Sequence, residues 1–347
     1  MDKETVTRGI ILSVVEHTLR ELEANPERTV RKLVDLGDHF AKGRFQSYFF
    51  DMVQTMLTDE NSAYYDLVRR TATEIDRETL KTFGVNLGYN SYTVGARTIR
   101  AREAVCGYDI PWAIMFHMGY CEAPLAIEEY DRMMREGVET GVRAYIFYVQ
   151  DETQALGPLL ELMGCFPDCA FLLALPAALV TDEAVSQLCD HRNLMVAVAS
   201  EDADFPAAAA KLRRARRLYA CHRRYRNTDD AASVLDGSWA RKAADAGCCF
   251  AFCHADEACP DEVCDAVQAS VEKERKRQSE GVIASNYYTD HLFIDGVISG
   301  EACFVGVMPD GTVTRCDGRR EVQTGMNAAG APLCEVLAAV CKRGGFA

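Results

Sequence analysis

Five cysteines between residues 248 and 264 form the densest group of thiols in the sequence: Cys248, Cys249, Cys253, Cys259 and Cys264. The stretch CCFAFCH, residues 248–254, predicts a β-strand. Alternate side chains of a strand face opposite sides, so Cys249 and Cys253 are expected to share one face. Together with His254 they would suit zinc or an iron–sulfur cluster. The alternative is that these thiols are buried apolar side chains without a ligand.

A second group of polar side chains follows two predicted strands. His117, Cys121 and Glu122 come after the apolar run at 110–116, and Asp151 and Glu152 come after AYIFYV at 144–149. Side chains at the carboxyl ends of parallel strands meet at one rim, where such folds usually place their chemistry. The set could form a metal site centred on Cys121 or an acid/base site. Its spacing is not diagnostic of a metal, and ordinary polar rim residues are the alternative.

Short apolar runs alternate with amphipathic stretches from residue 107 to residue 276. The predicted strands are 110–116, 144–149, 169–175, 194–199, 219–225 and 248–254. The helices predicted between and after them are 127–141 with a glycine cap at Gly141, 154–163, 181–188, 207–218, 232–246 and 261–276. Because parallel strands need crossover helices, six such units predict a parallel sheet that curls into a partial or complete barrel.

The regions before and after this alternating pattern have different spacings of apolar residues. Apolar residues at helical spacing, such as those from Ile10 to Leu22, predict helices near the N-terminus, and ACFVGVMPDGTVTRC at 302–316 predicts a hairpin that turns at Pro309–Gly311. A last helix is expected over 332–342. The fold class is therefore α/β, with a TIM-like partial (β/α)6 barrel. The predicted divisions are a helical N-terminal segment at 1–105, the barrel at 106–280, and an extension of hairpin plus helix at 281–347.

Composition narrows the range of partners. The net charge of −14 argues against a general nucleic-acid binder, and the longest apolar stretch, 169–180, is too short to span a bilayer. No export signal is visible, so reduced thiols and a cytoplasmic location are expected. Residues 205–228 contain no acidic side chain and eight Lys or Arg. This basic stretch would suit phosphate, an anionic cofactor or an acidic partner, or it is a solvated helix face followed by a strand edge.

Four strings in their order resemble a subset of radical S-adenosylmethionine proteins: IRAREAVCGYDIPWAIMF at 99–116, MREGVETGVRAYIFY at 134–148, KAADAGCCFAFCHAD at 242–256 and FVGVMPDGTVTRC at 304–316. The resemblance covers roughly residues 95 to 342. It implies a six-unit partial barrel and, with an intact motif, a [4Fe-4S] cluster that binds S-adenosylmethionine. The motif implied is C-x3-C-x2-C in the loop after the first strand, because three thiolates hold three irons of the cluster.

The sequence departs from the family's pattern at this rim. The loop reads HMGYCEAP at 117–124, with Cys121 as its only cysteine. Where the family ends its second strand with Gly-Gly-Glu and contacts the cosubstrate's amino group, this chain has Val149, Gln150 and Asp151. Gln150, Asp151 and, after the fourth strand, Glu201 are the residues that the resemblance would assign to cosubstrate binding.

The sequence therefore predicts a radical-SAM-like protein that has lost its radical chemistry and binds a small molecule, a peptide or a protein partner in its barrel. Enzymatic activity is not expected. One alternative is an enzyme with a different metal or cofactor that uses His117, Cys121, Asp151 and Glu152. Another is a regulatory subunit of an intact radical enzyme. The fold alone does not identify a ligand.

Overall fold

The computed structural model describes residues 3–24, 59, 61–151, 156–299 and 301–343. The described N-terminal part is helical, as the sequence predicts. Asp76 begins one of these helices by accepting a hydrogen bond from the backbone N–H of Thr79 at 2.9 Å, and Gly107 ends another in the left-handed conformation with φ +77°. The helices are α1 (Lys3–Ala24), α2 (Tyr64–Glu74), α3 (Arg77–Val85), a π-helix (Asn86–Gly95) and α4 (Ala96–Cys106).

Seven parallel strands follow in chain order and pair with their neighbours. They are β1 (Ala113–Met118), β2 (Ala144–Val149), β3 (Ala170–Leu175), β4 (Leu194–Ala199), β5 (Tyr219–Tyr225), β6 (Phe250–Ala255) and β7 (Ile283–Asn286). The first strand begins and ends two to three residues later than predicted, because Ile110–Trp112 lead into it. His117 therefore belongs to β1 rather than to the loop after it.

Helices connect these strands, as parallel pairing requires. They are α5 (Ile127–Thr140), α6 (Leu156–Gly164), a 3-10 turn (Ala177–Leu179), α7 (Asp182–Leu188), α8 (Phe205–Arg214), α9 (Thr228–Leu235), α10 (Ser238–Asp245), α11 (Asp261–Arg277) and α12 (Tyr287–Ile298). The predicted cap at Gly141 is confirmed by its φ of +109°. The prediction of one helix at 232–246 is wrong, because Gly237 adopts φ +80° and separates α9 from α10.

The C-terminal part completes the same sheet. The predicted hairpin is present as β8 (Val305–Val307) and β9 (Thr312–Cys316), which pair antiparallel, and β8 also pairs parallel with β1. A strand that the sequence did not predict, β10 (Glu321–Asn327), pairs antiparallel with β9, and α13 (Leu333–Val340) follows. The strand order is β10-β9-β8-β1-β2-β3-β4-β5-β6-β7, so residues before and after 280 share one ten-stranded sheet.

Ring contacts show that the sheet is curled. Neighbouring strands lie about 4.8 Å apart, so β2 and β5 would be about 14 Å apart in a flat sheet. Yet the rings of Tyr148 on β2 and His222 on β5 are 5.4 Å apart, and Tyr148 and His254 on β6 are 5.1 Å apart. The predicted partial barrel is therefore confirmed.

Two hydrophobic clusters fill the two sides of the curled sheet. The larger one lies between the sheet and its surrounding helices. The smaller one lies inside the curl, where Ala174, Met195 and Ala220 pack with Tyr64 and Leu67 of α2. Helix α2 thus closes the end of the barrel where the strands begin. Within the described residues, no helix is long and apolar enough to cross a bilayer.

Candidate functional site

Four ring side chains line the inside of the barrel near the carboxyl ends of its strands. His117, Tyr148 and His254 are each the second-last residue of a strand, whereas His222 is the middle residue of β5 and pairs with Ala199 at the end of β4. Apolar residues such as Ala220 and Phe252 share the same inner face of the sheet. Tyr148 is central, because its ring contacts those of His117 at 5.6 Å, His222 at 5.4 Å and His254 at 5.1 Å. The barrel mouth is therefore filled by packed rings.

Glu321 of β10 forms a hydrogen-bonded network with His117 beneath these rings. His117 Nε2 lies 2.9 Å and 3.0 Å from the two carboxylate oxygens, and the hydroxyls of Tyr288 and Thr314 donate to the same carboxylate at 3.0 Å and 2.5 Å. The Gln150 amide nitrogen is 3.1 Å from His117 Nδ1. The network joins β1, β2, α12, β9 and β10, so it fixes the C-terminal strands to the barrel.

The network lowers the pKa of Glu321 although its carboxyl group is buried. Burial alone would raise the pKa of Glu321. Attraction to His117 and the hydrogen bonds from His117, Thr314 and Tyr288 outweigh burial, and the pKa is lowered.

The other two imidazoles are held neutral. Burial lowers the pKa of His222 to about 4. Burial, together with the proximity of the His222 ring and the Arg224 guanidinium, lowers the pKa of His254 well below its usual range. Burial also raises the pKa of Tyr148 to about 12. His222 Nε2 lies 3.3 Å from the carbonyl oxygen of Leu175, which leaves Nδ1 as a buried acceptor without a hydrogen-bond partner among the described residues.

Asp151 holds the loop after β1 in place at the rim. Its carboxylate accepts a hydrogen bond from the backbone N–H of Tyr120 at 2.6 Å, across the gap between the loops that follow β1 and β2. A Cβ on Gly119 would lie 3.2 Å from the Gln150 amide oxygen and 3.3 Å from Asp151. These contacts hold the β1 loop in place, and they leave the Tyr120 side chain 82% exposed.

Glu201 follows β4 at the same rim, close to Arg224. The residue as a whole is exposed, but desolvation of its carboxyl group raises its pKa against the opposing hydrogen bonds from the backbone N–H groups of Glu201 and Arg224. Arg224 itself pairs with Asp256 at 2.5 Å. The sequence-predicted residues His117, Gln150, Asp151, Glu201 and His254 are therefore gathered at one end of the barrel.

The cysteine candidates are not brought together in the same way. Cys121 is half-buried in the β1 loop beside Tyr130. The prediction that Cys249 and Cys253 share a strand face is wrong, because β6 begins only at Phe250. Cys249 packs inside the curl at its closed end and Cys253 packs outside, under the helices.

Two of the cysteines predicted as metal ligands are held as neutral thiols. Burial raises the pKa of both Cys249 and Cys253, which favours the thiol form over the thiolate that binds metals. In the part of the chain that the structure describes, no three His, Cys, Asp or Glu side chains are arranged to hold a metal ion. Glu152, the remaining candidate, lies outside the described residues.

The basic stretch supports the fold through backbone and carboxylate contacts. Arg213 pairs with Glu74 through two hydrogen bonds of 2.9 and 3.0 Å, and Lys211 donates to the carbonyl of Val180. Arg223 donates to the carbonyl of Asp230 at 2.6 and 3.0 Å. These contacts match the solvated-face alternative better than an anion pocket.

Sequence reasoning missed Tyr148, His222, Tyr288 and Glu321. Two of them carried a usable signal, since Tyr148 lies near the end and His222 in the middle of a predicted strand, on the side that alternates with apolar residues. Glu321 carried none, because it lies on a strand that was not predicted and 204 positions from His117.

Comparison with known proteins gives similarity to solved structures only. No family model and no curated protein matches the chain. Streptococcus suis SuiB bound to S-adenosylmethionine is similar at 10% identity and a TM-score of 0.49, over 68% of this chain and 66% of that one, just under two thirds of its length. SuiB bound to precursor peptide SuiA gives 9% and 0.47, over 68% and 67%, and SuiB alone gives 11% and 0.48, over 79% and 80%. The partial barrel described above rests on this chain's own strand order and ring contacts.

Proposed function

We propose that this chain is a radical-SAM-like barrel protein that carries out no radical chemistry and binds a small molecule, a peptide or a protein partner at its barrel mouth. The observation that carries the proposal is the filled mouth. The rings of Tyr148, His117, His222 and His254 occupy the inside of the barrel at the rim where such a fold would hold its cofactors.

The residues at this rim do not fit a [4Fe-4S] cluster. Such a cluster needs thiolates from several cysteines, and the loop after β1 offers Cys121 alone. His117, the nearest other ligand type, points inward and is committed to Glu321 and Gln150. No reaction step is therefore assigned to a cluster or to S-adenosylmethionine bound to it.

The position of Asp151 supports the same proposal. The resemblance would assign a carboxylate at this point to the amino group of a cosubstrate, but Asp151 accepts the backbone N–H of Tyr120 instead. Val149 and Gln150 bring side chains where two glycines would let backbone approach a ligand. A carboxylate that holds a loop is not available to hold a cosubstrate through the same oxygen.

Anaerobic reconstitution with iron and sulfide tests the proposal. We expect far less than one iron per chain, no cluster signal in electron paramagnetic resonance after reduction, and no reductive cleavage of S-adenosylmethionine. Cys121→Ser is the informative variant, and Cys165→Ser, an exposed thiol outside the loop, is its matched control. Equal residual iron in both variants would show adventitious binding.

About four irons per chain, lost in Cys121→Ser and kept in Cys165→Ser, together with cleavage of S-adenosylmethionine, would overturn the proposal. Iron that is bound without cleavage would contradict the conclusion that the rim does not fit a cluster, but it would leave the absence of radical chemistry standing.

A second candidate function is an enzyme with a different metal or cofactor at the rim. It is favoured by the neutral imidazoles of His222 and His254, whose ring centroids are 6.3 Å apart, since neutral imidazole is the form that ligates metals. Elemental analysis of protein purified without added metal discriminates the two. A stoichiometric metal that is lost in His254→Ala and kept in His291→Ala would support the enzyme; a metal-free chain would support the binding protein.

A further inference from the structure

The rim of the barrel mouth is strongly acidic. The described loops that follow β1, β2, β4 and β6 carry seven acidic side chains, and the loop after β5 adds one cation, Arg226. We call these seven the acidic rim: Glu122, Asp151, Glu201, Asp202, Asp204, Asp256 and Glu257. Because the strands are parallel, all these loops lie at one end of the barrel. Arg224 near the end of β5 and Arg320, which donates to the carbonyl of Cys259 in the loop after β6, also lie at this rim and reduce its charge, but the acids outnumber the cations and the rim is net negative.

Six of the seven members of the acidic rim fall into two groups, and the seventh, Glu201, accepts hydrogen bonds from backbone N–H groups. Asp151 accepts the N–H of Tyr120, Asp202 accepts the N–H of Ala177 at 2.8 Å, and Asp256 pairs with Arg224. By contrast, three members are exposed and form no ion pair with any described residue: Glu122, Asp204 and Glu257. The second group is available to a cationic partner.

A buried acceptor below the rim is a second and independent sign of a ligand. His222 is only 5% exposed, lies on the inner face of β5, and has no donor for Nδ1 within the described residues. A buried acceptor without a partner costs about 1–3 kcal/mol, so a donor delivered from outside would be stabilising. The neutral imidazole can accept from an ammonium or an amide N–H.

The packed rings at the barrel mouth restrict the shape of a ligand that could bind there. The rings of Tyr148 and the three histidines occupy the mouth, so we expect a ligand to lie across the rim and to send only a narrow group towards His222. Tyr120 stands beside this surface with 82% of its area exposed, on a loop fixed by Asp151. Exposed tyrosines on fixed backbone are frequent anchors in protein interfaces.

We infer that the acidic rim is the docking surface for an extended, lysine- or arginine-rich segment of a partner protein, with Tyr120 as an apolar anchor. The cationic side chains meet Glu122, Asp204 and Glu257, and one N–H donor reaches His222 Nδ1. This inference rests on the proposed binding function and specifies its partner class.

Fluorescence polarisation with a fluorescein-labelled peptide of repeated Lys-Ala-Gly units tests the inference, and a Glu-Ala-Gly peptide of the same length is the control probe. We expect the lysine peptide to bind, its affinity to fall with added salt, and the glutamate peptide not to bind. The triple variant Glu122→Gln, Asp204→Asn, Glu257→Gln should weaken binding about tenfold, since each exposed ion pair is worth a fraction of a kcal/mol.

The matched control variant removes the same charge from the opposite end of the barrel. Glu139→Gln, Asp190→Asn and Asp245→Asn change three exposed acids where helices end and strands begin, and binding should change less than about twofold. Tyr120→Ala keeps the backbone N–H that Asp151 accepts and should weaken binding about fivefold or more, whereas Phe293→Ala, another exposed apolar side chain, should not. The 15N resonance of His222 Nδ1 should shift on saturation with the lysine peptide.

Equal losses in the two triple variants would overturn the inference, because they would show attraction to net charge alone. Absence of binding at low salt, or an unchanged His222 resonance, would also overturn it. These outcomes are independent of the iron and S-adenosylmethionine assays. A cluster-free chain that ignores the lysine peptide refutes the partner class and leaves the proposed function standing, whereas a cluster-bearing, active chain refutes the proposed function.

Discussion

Removing the carboxylate of Glu321 should destabilise the protein more than most single substitutions do. In Glu321→Ala, three donors lose their acceptor: His117 Nε2 at 2.9 Å and the hydroxyls of Tyr288 and Thr314. Glu321 is only 9% exposed, so water cannot replace the carboxylate fully. Breaking a buried pair from one side costs about 3–5 kcal/mol, and we expect a loss of that size in the free energy of unfolding.

Glu321→Gln separates the loss of charge from the loss of contacts. The glutamine carbonyl can still accept from His117 and Tyr288, and its amide can donate to the Thr314 hydroxyl, so the expected loss is about 1–2 kcal/mol. Urea unfolding followed by far-ultraviolet circular dichroism and by the fluorescence of the two tryptophans measures both variants. A Glu321→Ala protein within about 0.5 kcal/mol of the parent chain would refute the view that this network fixes β10 to the barrel.

The same network predicts a direction of pH dependence. Because the pKa of Glu321 is lowered in the folded chain, its carboxylate form stabilises the fold above the carboxyl's ordinary pKa. That contribution is lost as the pH falls from the ordinary value through the lowered one. The stability difference between the parent chain and Glu321→Gln should therefore shrink on acidification over this interval, and a difference that stays constant would contradict the assignment.

Three further predictions follow from local geometry. Gly141→Ala should lower the free energy of unfolding by about 2 kcal/mol or more, because a Cβ at φ +109° would lie 2.7 Å from the Gly95 carbonyl oxygen. Gly107→Ala is the control: its φ is +77° but the space around it is open, so the loss should be only about 1–2 kcal/mol. Asp76→Ala removes the cap of α3 and should lower the free energy of unfolding by about 1 kcal/mol. Burial raises the pKa of Asp76, but the hydrogen bonds from Thr79 outweigh burial and lower it. The difference in unfolding free energy should therefore vanish as the pH falls through that lowered pKa. A thiol reagent should modify three exposed cysteines first in the native chain, and all fifteen only after denaturation; modification of a buried thiol before these would contradict the packing. The three are Cys165, Cys189 and Cys334.

The sequence was sufficient for the barrel because each strand is a short apolar run between helical patterns. Six of the seven parallel strands overlap their predicted ranges, since strands buried on both faces leave a continuous apolar signal. The seventh, β7, has only four residues, Ile283–Asn286, and two of them are polar, so its signal is weak. β10, Glu321–Asn327, is mostly polar and alternates between exposed and less exposed residues, which gives it no apolar run to detect.

The site was less predictable because its contacts are set by register and by distant pairing. His117 was recognised from its position after an apolar run, but its inward direction depends on β1 extending to Met118. The network partner Glu321 depends on β9 and β10 pairing so that Glu321 lies opposite Cys316. A shift of one residue would turn Glu321 to the other face. The pairing register of two strands cannot be predicted from composition or from the local spacing of residues.

The acidic rim gains a specific meaning from the way its members are held. Asp151 and Asp202 accept hydrogen bonds from neighbouring loops and Asp256 pairs with Arg224 of β5, so these contacts restrain the rim loops before a partner binds. A stiff surface loses less conformational freedom on binding than a mobile one. Glu122 and Glu257 remain exposed on these restrained loops. Cationic groups of a partner can therefore pair with them without first ordering the loops. The packed rings and the acidic rim thus both support the proposal that a partner binds across the mouth.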